Sequence, residues 1–358
     1  MGNPSPQESP DEPPDGMERI LGGDTFRPPV ALMPVPAVTV VIVNFNGGDH
    51  VVRCLECLAA QSLLPGRILL IDNASSDGSL EACQRLAKGD PKLVDRTIVD
   101  PLVANLGFAA GSNRGIAQAD TEFVALLNPD AFPEPGWLEA LVAAAAIHPE
   151  AAAFGSRQML AHSPGMLDGI GDCWHFSGMA WREGHGRPLQ PADLDGKEIF
   201  SACAAAVLYR RQAVLEAGGF DEDYFCYGED VDLGYRLRLI GHGARSVPEA
   251  VVHHIGGSSN AGTAATYYGH RNLVWTVAKD TPGIFVYPTL LAHLSQSIVT
   301  GVILGLRGRG RAFARAKWDA VRGLGRCWQK RRAVQACRRV SLWKIGKVWD
   351  LGWRRMGR

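Results

Sequence analysis

The chain has 358 residues, 46% of them hydrophobic, with 37 basic and 37 acidic side chains. That length and apolar content support a large folded core and exclude a chain that is disordered or fibrous throughout. The zero net charge hides a split: residues 307–358 carry 17 Lys and Arg against only Asp319 and Asp350, an excess of +15, which leaves −15 for residues 1–306. Such a tail suits an anionic lipid surface or nucleic acid, or is a solvated helix packed on its own domain.

Residues 1–30 are rich in Pro, Asp and Glu and lack the apolar stretch of a secretory signal. We read 1–36 as a disordered acidic, Pro-rich leader outside the fold. AVTVVIVNF at 37–45 is a continuous apolar and β-branched run, as expected of a strand buried on both faces in a parallel sheet. Gly47-Gly48 opens a helix to about residue 62. Its Cys54 and Cys57 lack the His/Cys companions of a zinc site and read as core, and the scattered cysteines suit a reducing compartment. RILLID at 67–72, RTIVD at 96–100 and EFVALLN at 122–128 read as further strands, with helices at 79–88 and 109–119 between them. This alternation implies right-handed crossovers and a ligand site beyond the carboxyl ends of the strands.

A helix at 137–147 and a strand at 151–156 follow, and then residues 158–198 are irregular, a length that suits binding rather than simple connection. Trp174, His175 and Trp181 within them fit an acceptor wall or irregular core packing equally well. Order resumes at 202–210, a helix spans 230–240, and 246–254 returns as a strand. Residues 284–306 are mostly apolar and about long enough to cross a bilayer. Pro288, His293, Ser295, Gln296 and Ser297 favour an interfacial or re-entrant helix over a span or a soluble core helix. Trp residues among Arg and Lys downstream resemble interfacial anchors.

The chemistry is carried by spaced clusters: IDNASSDGS at 71–79, NLGFAAGSNRG at 105–115, LNPDA at 127–131, FCYGEDVDLGYR at 225–236, HHIGGSS at 253–259 and YYGHRNLVW at 267–275. Taken singly, each has a plain structural reading. Asp77 caps a helix, the NxG turn is a turn, Asp130 is a turn acid before Pro133, and Glu229, Asp230 and Asp232 enrich a helix N-terminus. Their order along the chain adds more.

Residues 38–280 resemble an inverting family 2 glycosyltransferase, and NLGFAAGSN, LNPD and YYGHRNLVW resemble the bacterial rhamnosyltransferases within that family. The resemblance implies an α/β, GT-A (Rossmann-like) nucleotide-diphospho-sugar transferase fold over 37–280 with a mostly parallel central sheet. Residues 281–358 then form an apolar helix and a basic helical, membrane-associating extension. It implies that Asn44, Asn46, Asp72 and Asn73 contact the nucleotide, and that Asn105, Asn113 and Arg114 address ribose or phosphate. LNPDA stands for a metal motif that normally reads Asp-x-Asp, with Asn128 in place of the first acid and Asp130 holding Mg²⁺ or Mn²⁺. His254, preferred to His253, completes the metal or diphosphate site.

By the same resemblance Asp230 is the general base, Glu229 orients it or binds acceptor, and Asp232 is the fallback. Arg271 and Asn272 face the diphosphate or anchor their helix. The expected reaction moves a sugar, best L-rhamnose from dTDP-rhamnose, to a lipid-linked or polymeric cell-envelope glycan at the cytoplasmic face of the membrane. UDP-galactofuranose, UDP-hexoses and GDP-sugars stay open as donors, and the sequence does not fix the oligomeric state. A nonenzymatic nucleotide-sugar or glycan-binding module would not need Asp130 and Asp230 together. A nucleic-acid partner would leave every acidic cluster unused.

Overall fold

The computed structural model describes residues 1–2, 37–256 and 261–352. The expected leader, past residue 2, lies outside the described residues, as do 257–260 in the His-Gly-Gly segment and 353–358 at the end of the basic tail. Residues from Pro36 onward form one compact unit.

The first half alternates as its hydrophobic pattern predicts: β1 (Val38–Asn44), α1 (Gly48–Ala59), β2 (Arg67–Asp72), α2 (Ser79–Gly89), β3 (Thr97–Pro101), α3 (Phe108–Gln118) and β4 (Phe123–Leu127). Next come β5 (Ala131–Pro133), α4 (Trp137–Ile147), β6 (Ala151–Leu160), β7 (Leu167–Gly169), β8 (Asp172–Trp174), β9 (Ala180–Arg182), β10 (Glu198–Ile199) and β11 (Ala206–Arg210). The chain continues through α5 (Arg211–Glu216), α6 (Glu229–Leu239), β12 (Gly243–His254), α7 (Ala261–Asp280), α8 (Val286–Leu306), α9 (Gly310–Ala336) and α10 (Leu342–Gly346).

The main sheet runs β10-β12-β6-β11-β4-β1-β2-β3, with β5 added to β12 and β7 to β6. Strands β1 to β4 are mutually parallel, β12 is parallel to β6, and β11 runs against both of its neighbours. Period-two alternation divides β1 between two cores. Val38, Val40 and Ile42 join Leu55, Leu58, Leu138 and Leu141 on one face, while Val41 and Val43 join Ile116, Leu233 and Leu237 on the other. Helix α3 sits close to the second face because Gly111 and Gly115 leave room for the side chains of Val43 and Val41. Cys54 is buried in the first core, as expected.

Two elements depart from the sequence reading. The strand expected at 151–156 continues to Leu160, and 158–198 is not irregular throughout, since it holds β7, β8 and β9. Three-residue strands are too short to show a period, which is why no pattern marks them. Trp174 is fully buried, stacked on Phe200 and edge-on to Tyr235.

Beyond β12, α7 packs on α9 through Trp275, whose Nε1 donates to the Ala320 carbonyl at 3.0 Å, and Gly323 clears space for the indole. Helix α8 is long and apolar enough to cross a membrane by length and composition. It is two-sided, however. Tyr287, Leu291, Leu294, Ile298, Val302 and Leu306 are exposed, whereas His293 is buried with Nδ1 3.1 Å from the Ser177 carbonyl oxygen.

Candidate active site

An open cleft of about 770 Å³ lies where β4, β12 and the start of α6 converge. Asn128, Asp130, Glu229, Asp230 and His254 all line it. Asp130 leaves β4 and enters β5, which pairs with β12 so that His254 stands opposite Ala131. The register brings His254 Nε2 to 3.3 Å from Asp130 Oδ1. Alternation along β12 turns His253 to the other face, where its Nε2 is 3.0 Å from Glu134 Oε1.

Asp230 is held from two sides: Oδ2 accepts the Ala204 N–H at 3.2 Å and Oδ1 the Val231 N–H at 2.9 Å. The turn before it is unusual. Phe225 and Tyr227 have φ of 64° and 67°, and Gly228, which caps α6, has φ of 84°. Such conformations cost non-glycine residues on the order of 1–3 kcal/mol each. Asn272, fully buried, donates to the carbonyls of Tyr224, Cys226 and Tyr227 at 3.1, 3.0 and 2.7 Å. Arg271 donates to the carbonyls of Asp223 and Tyr224 and lies over the rings of Tyr268 and Trp275. The two residues therefore clamp the loop that precedes α6, and Arg271 does not face the cleft as the diphosphate reading required.

Burial pushes Glu229 well above the usual carboxylate range, and the charge of Asp230 adds to the effect. Its Oε2 has no hydrogen-bond partner among the described residues. A carboxyl whose protonated form is favoured by burial therefore sits next to the residue expected to act as base. Asp232, the fallback, is not in the cleft. It is fully buried on the opposite side of α6, bonded to Arg236 at 2.6 Å and to Lys279 at 2.5 Å.

The sequence reading missed Asp168, Asp172, Arg182 and His185, which also line the cleft. Hairpin β6–β7 delivers Asp168, whose Oδ2 is 2.8 Å from His254 Nδ1. Arg182 on β9 donates to the same oxygen at 2.6 Å, and Gly169 leaves room for its stem. Burial pushes Asp172 up to about 8, with the charge of Asp230 adding to it. Burial alone would raise Asp168 too, but hydrogen bonds from His185 and His254 and the charge of Arg182 hold it well below the usual range. His254 would be lowered by burial, yet its bonds to Asp130 and Asp168 lift it to about 9. Burial likewise opposes the ionised form of Asp130, and the His254 hydrogen bond and charge outweigh it, leaving the carboxyl lowered. The sequence signal for Asp168 and Asp172 was two acids set among glycines, Leu167 to Asp172, and none marked Arg182 or His185.

The remaining expected residues lie outside this cleft. Asn44 is buried and donates to Asp72 Oδ1, Ser75 Oγ and Ser79 Oγ, so it joins the ends of β1 and β2. Asp72 also accepts the Ser75 N–H and hydroxyl, and that hydroxyl in turn accepts the Asn46 N–H at 2.9 Å. Asn46, at φ of 53°, is exposed at the rim. Asn73 ties β2 to the loop before α3 through the Gly107 carbonyl, and Asn105 accepts the Gly107 N–H. Asp77 accepts from Ser79 and from the Gly48 N–H as a turn acid.

Asn113 and Arg114 are held by other protein groups. Asn113 is locked to the Phe220 backbone and Glu222 beside a separate cavity, and Arg114 is paired with Asp100 on the surface. A spacing of residues on a helix does not reveal which partner captures each side chain.

Among the described residues no three His, Cys, Asp or Glu side chains form a metal cage. A hard divalent ion that takes its other ligands from water and a diphosphate needs fewer protein groups. Neighbouring ligands of an octahedral ion at ~2.1 Å stand about 3.0 Å apart. The 3.3 Å between Asp130 Oδ1 and His254 Nε2 therefore fits two adjacent ligand positions.

Residues 39–216 match the family described as Glycosyl transferase family 2. The chain is 30% identical over 315 residues to N-acetylglucosaminyl-diphospho-decaprenol L-rhamnosyltransferase of Mycobacterium tuberculosis, covering 79% of this chain and 97% of that relative. Among solved structures it resembles GalNAc-T7 with UDP, GalNAc and Mn²⁺ at a TM-score of 0.57 and 17% identity, over 69% of this chain and 48% of that one. It also resembles mannosyltransferase PcManGT from Pyrobaculum calidifontis in complex with GDP-Man and Mn²⁺, at a TM-score of 0.54 and 18% identity, over 87% and 86% of the two chains. At those identities the likeness is one of fold, the GT-A fold, and the central sheet is mixed, parallel over β1 to β4 and between β6 and β12 and antiparallel at its other pairings, where the sequence led us to expect a mostly parallel one.

Proposed function

Because the chain belongs to glycosyltransferase family 2, we propose that it is an inverting transferase that moves L-rhamnose from dTDP-rhamnose to a lipid-linked glycan acceptor. The observation that carries the mechanism is that Asp130 and Asp230 line one cleft. Inversion requires a base on one face of the anomeric carbon and stabilisation of the leaving diphosphate on the other.

Asp230 takes the proton of the acceptor hydroxyl as that oxygen attacks, and its two backbone N–H bonds fix the carboxylate for the purpose. Glu229, held neutral, offers a hydrogen-bond donor toward the acceptor. Asp130 and His254 would hold Mg²⁺ or Mn²⁺, which neutralises the charge developing on the nucleoside diphosphate. Asn128, Asn46 and Asn105 are the remaining candidates for nucleotide contact, with Asp72 and Asn44 fixing the Ser75 hydroxyl that accepts the Asn46 N–H. The choice of rhamnose and of a lipid-linked acceptor is supported by the mycobacterial relative. We place the enzyme at the cytoplasmic membrane face, with the exposed side of α8 against the bilayer and the basic tail against anionic headgroups.

A donor panel tests this reading. The purified enzyme with Mn²⁺ and a lipid-linked acceptor is given dTDP-rhamnose, UDP-galactofuranose, UDP-hexoses and GDP-sugars, and released nucleoside diphosphate and product anomer are measured. Turnover with another donor alone overturns the sugar assignment, and a product that retains the donor anomer overturns the in-line mechanism.

A further inference from the structure

We infer that Asp168 is a positioning residue for the cation site, holding the His254 ring so that Nε2 faces the ion beside Asp130. The inference rests on the reading of Asp130 and His254 as cation ligands. The Asp168 side chain is 4% exposed, and its Oδ2 is 2.8 Å from His254 Nδ1. The imidazole thus lies between two carboxylates, with Asp130 Oδ1 3.3 Å from the opposite nitrogen. A histidine that binds a metal through one ring nitrogen ordinarily donates the other N–H to a carboxylate, which fixes both tautomer and ring plane. Asp168 is separated from Asp130 by the ring, so it acts through His254 and does not touch the ion.

The carboxylate is itself held. Arg182 Nη1 donates to Oδ2 at 2.6 Å, and His185 Nδ1 is 3.0 Å from Oδ1. Pairing of β7 with β6, and of β6 with β12, sets Asp168 at this place 86 residues before the histidine it supports. A carboxylate that served only to join β7 to β9 would need Arg182 and no bond to the His254 ring on β12.

The test uses the full-length enzyme with dTDP present and Mn²⁺ titrated, free ion being read by electron paramagnetic resonance. Asp168→Asn is expected to weaken Mn²⁺ binding about 10- to 100-fold, as losing the carboxylate behind a ligating histidine does. His253→Ala, which removes the neighbouring imidazole on the other face of β12, is expected to bind within about twofold of wild type, since the Asp168–His254 bond remains. Asp168→Asn binding at the wild-type level while Asp130→Ala and His254→Ala bind poorly would overturn the inference alone. Wild-type affinity in Asp130→Ala would instead remove the cation-site reading on which it rests. Should Asp168→Asn not fold, ring ¹⁵N shifts of the wild-type enzyme with Mg²⁺ and dTDP decide the matter. A proton on His254 Nδ1 is expected, and a bare Nδ1 would overturn it.

Discussion

Helix α6 separates two clusters of charge that the sequence spells in one breath. On one side Glu229 and Asp230 open into the cleft with Asp130, Asp168, Asp172, Arg182 and His254. On the other, two residues later, Asp232 is buried with Arg236 and Lys279, and Lys279 bonds Asp221, which bonds Lys330 on α9. In the buried cluster each named acid has a cation within 2.6 Å. In the cleft, among the described residues, Glu229 keeps an oxygen without a partner, Asp172 is held neutral by burial, and Asp230 is bound only through backbone N–H groups. A carboxylate committed to a buried cation fixes a helix, and one left with free lone pairs at a cavity can do chemistry.

Breaking the comparison begins with Asp230→Asn, which is expected to lower the transfer rate by about 10²- to 10⁴-fold, the contribution of a positioned base. The melting temperature should stay near that of wild type, and an unchanged rate, measured as nucleoside diphosphate release, sinks the base assignment. Lys279→Ala is the mirror experiment. It leaves Asp232 with Arg236 alone and Asp221 with only the half-exposed Lys330, and is expected to cost about 3–5 kcal/mol in denaturant unfolding. The fraction that stays folded should transfer sugar normally.

A third experiment sharpens the difference through pH. Asp172 has its folded-state value raised from 3.8 to about 8. Between those values the folded chain holds the proton and the unfolded chain does not, so this group makes stability fall as pH rises through that window. Asp172→Asn is expected to flatten the slope of stability against pH between about 4 and 8, read from melting temperatures across buffers. An unchanged slope would mean that the cleft does not hold this acid neutral. The smallest effect belongs to Arg114→Ala. Its pair with Asp100 is exposed, so transfer should stay within about twofold of wild type, and a large rise in KM for the donor would restore its expected phosphate contact.

The parallel half of the fold was readable because runs such as VTVVIVN and RILLID, bounded by Gly and Pro, leave one interpretation. Asp130, Glu229, Asp230 and His254 were readable because their motifs stand at strand and helix ends facing one edge. Asp168, Asp172 and Arg182 were not, because they sit on three-residue strands, β7 placed by its pairing with β6 and β8 and β9 pairing with each other in a separate two-stranded sheet. The intramolecular partners of Asn113 and Arg271 were not legible for a related reason. Sequence puts them on the right helices, but the Phe220 backbone and the carbonyls of Asp223 and Tyr224 capture the side chains.

The amide of Asn272 reaches three carbonyls within one four-residue stretch of backbone just ahead of the base, and it belongs to α7, past the last strand of the sheet. A truncated protein ending at residue 256 would retain every acid of the cleft and lose the bracket that keeps Phe225 and Tyr227 in their left-handed geometry. The smallest autonomous catalyst cut from this chain therefore has to include α7, together with whatever of α9 is needed to keep Trp275 covered.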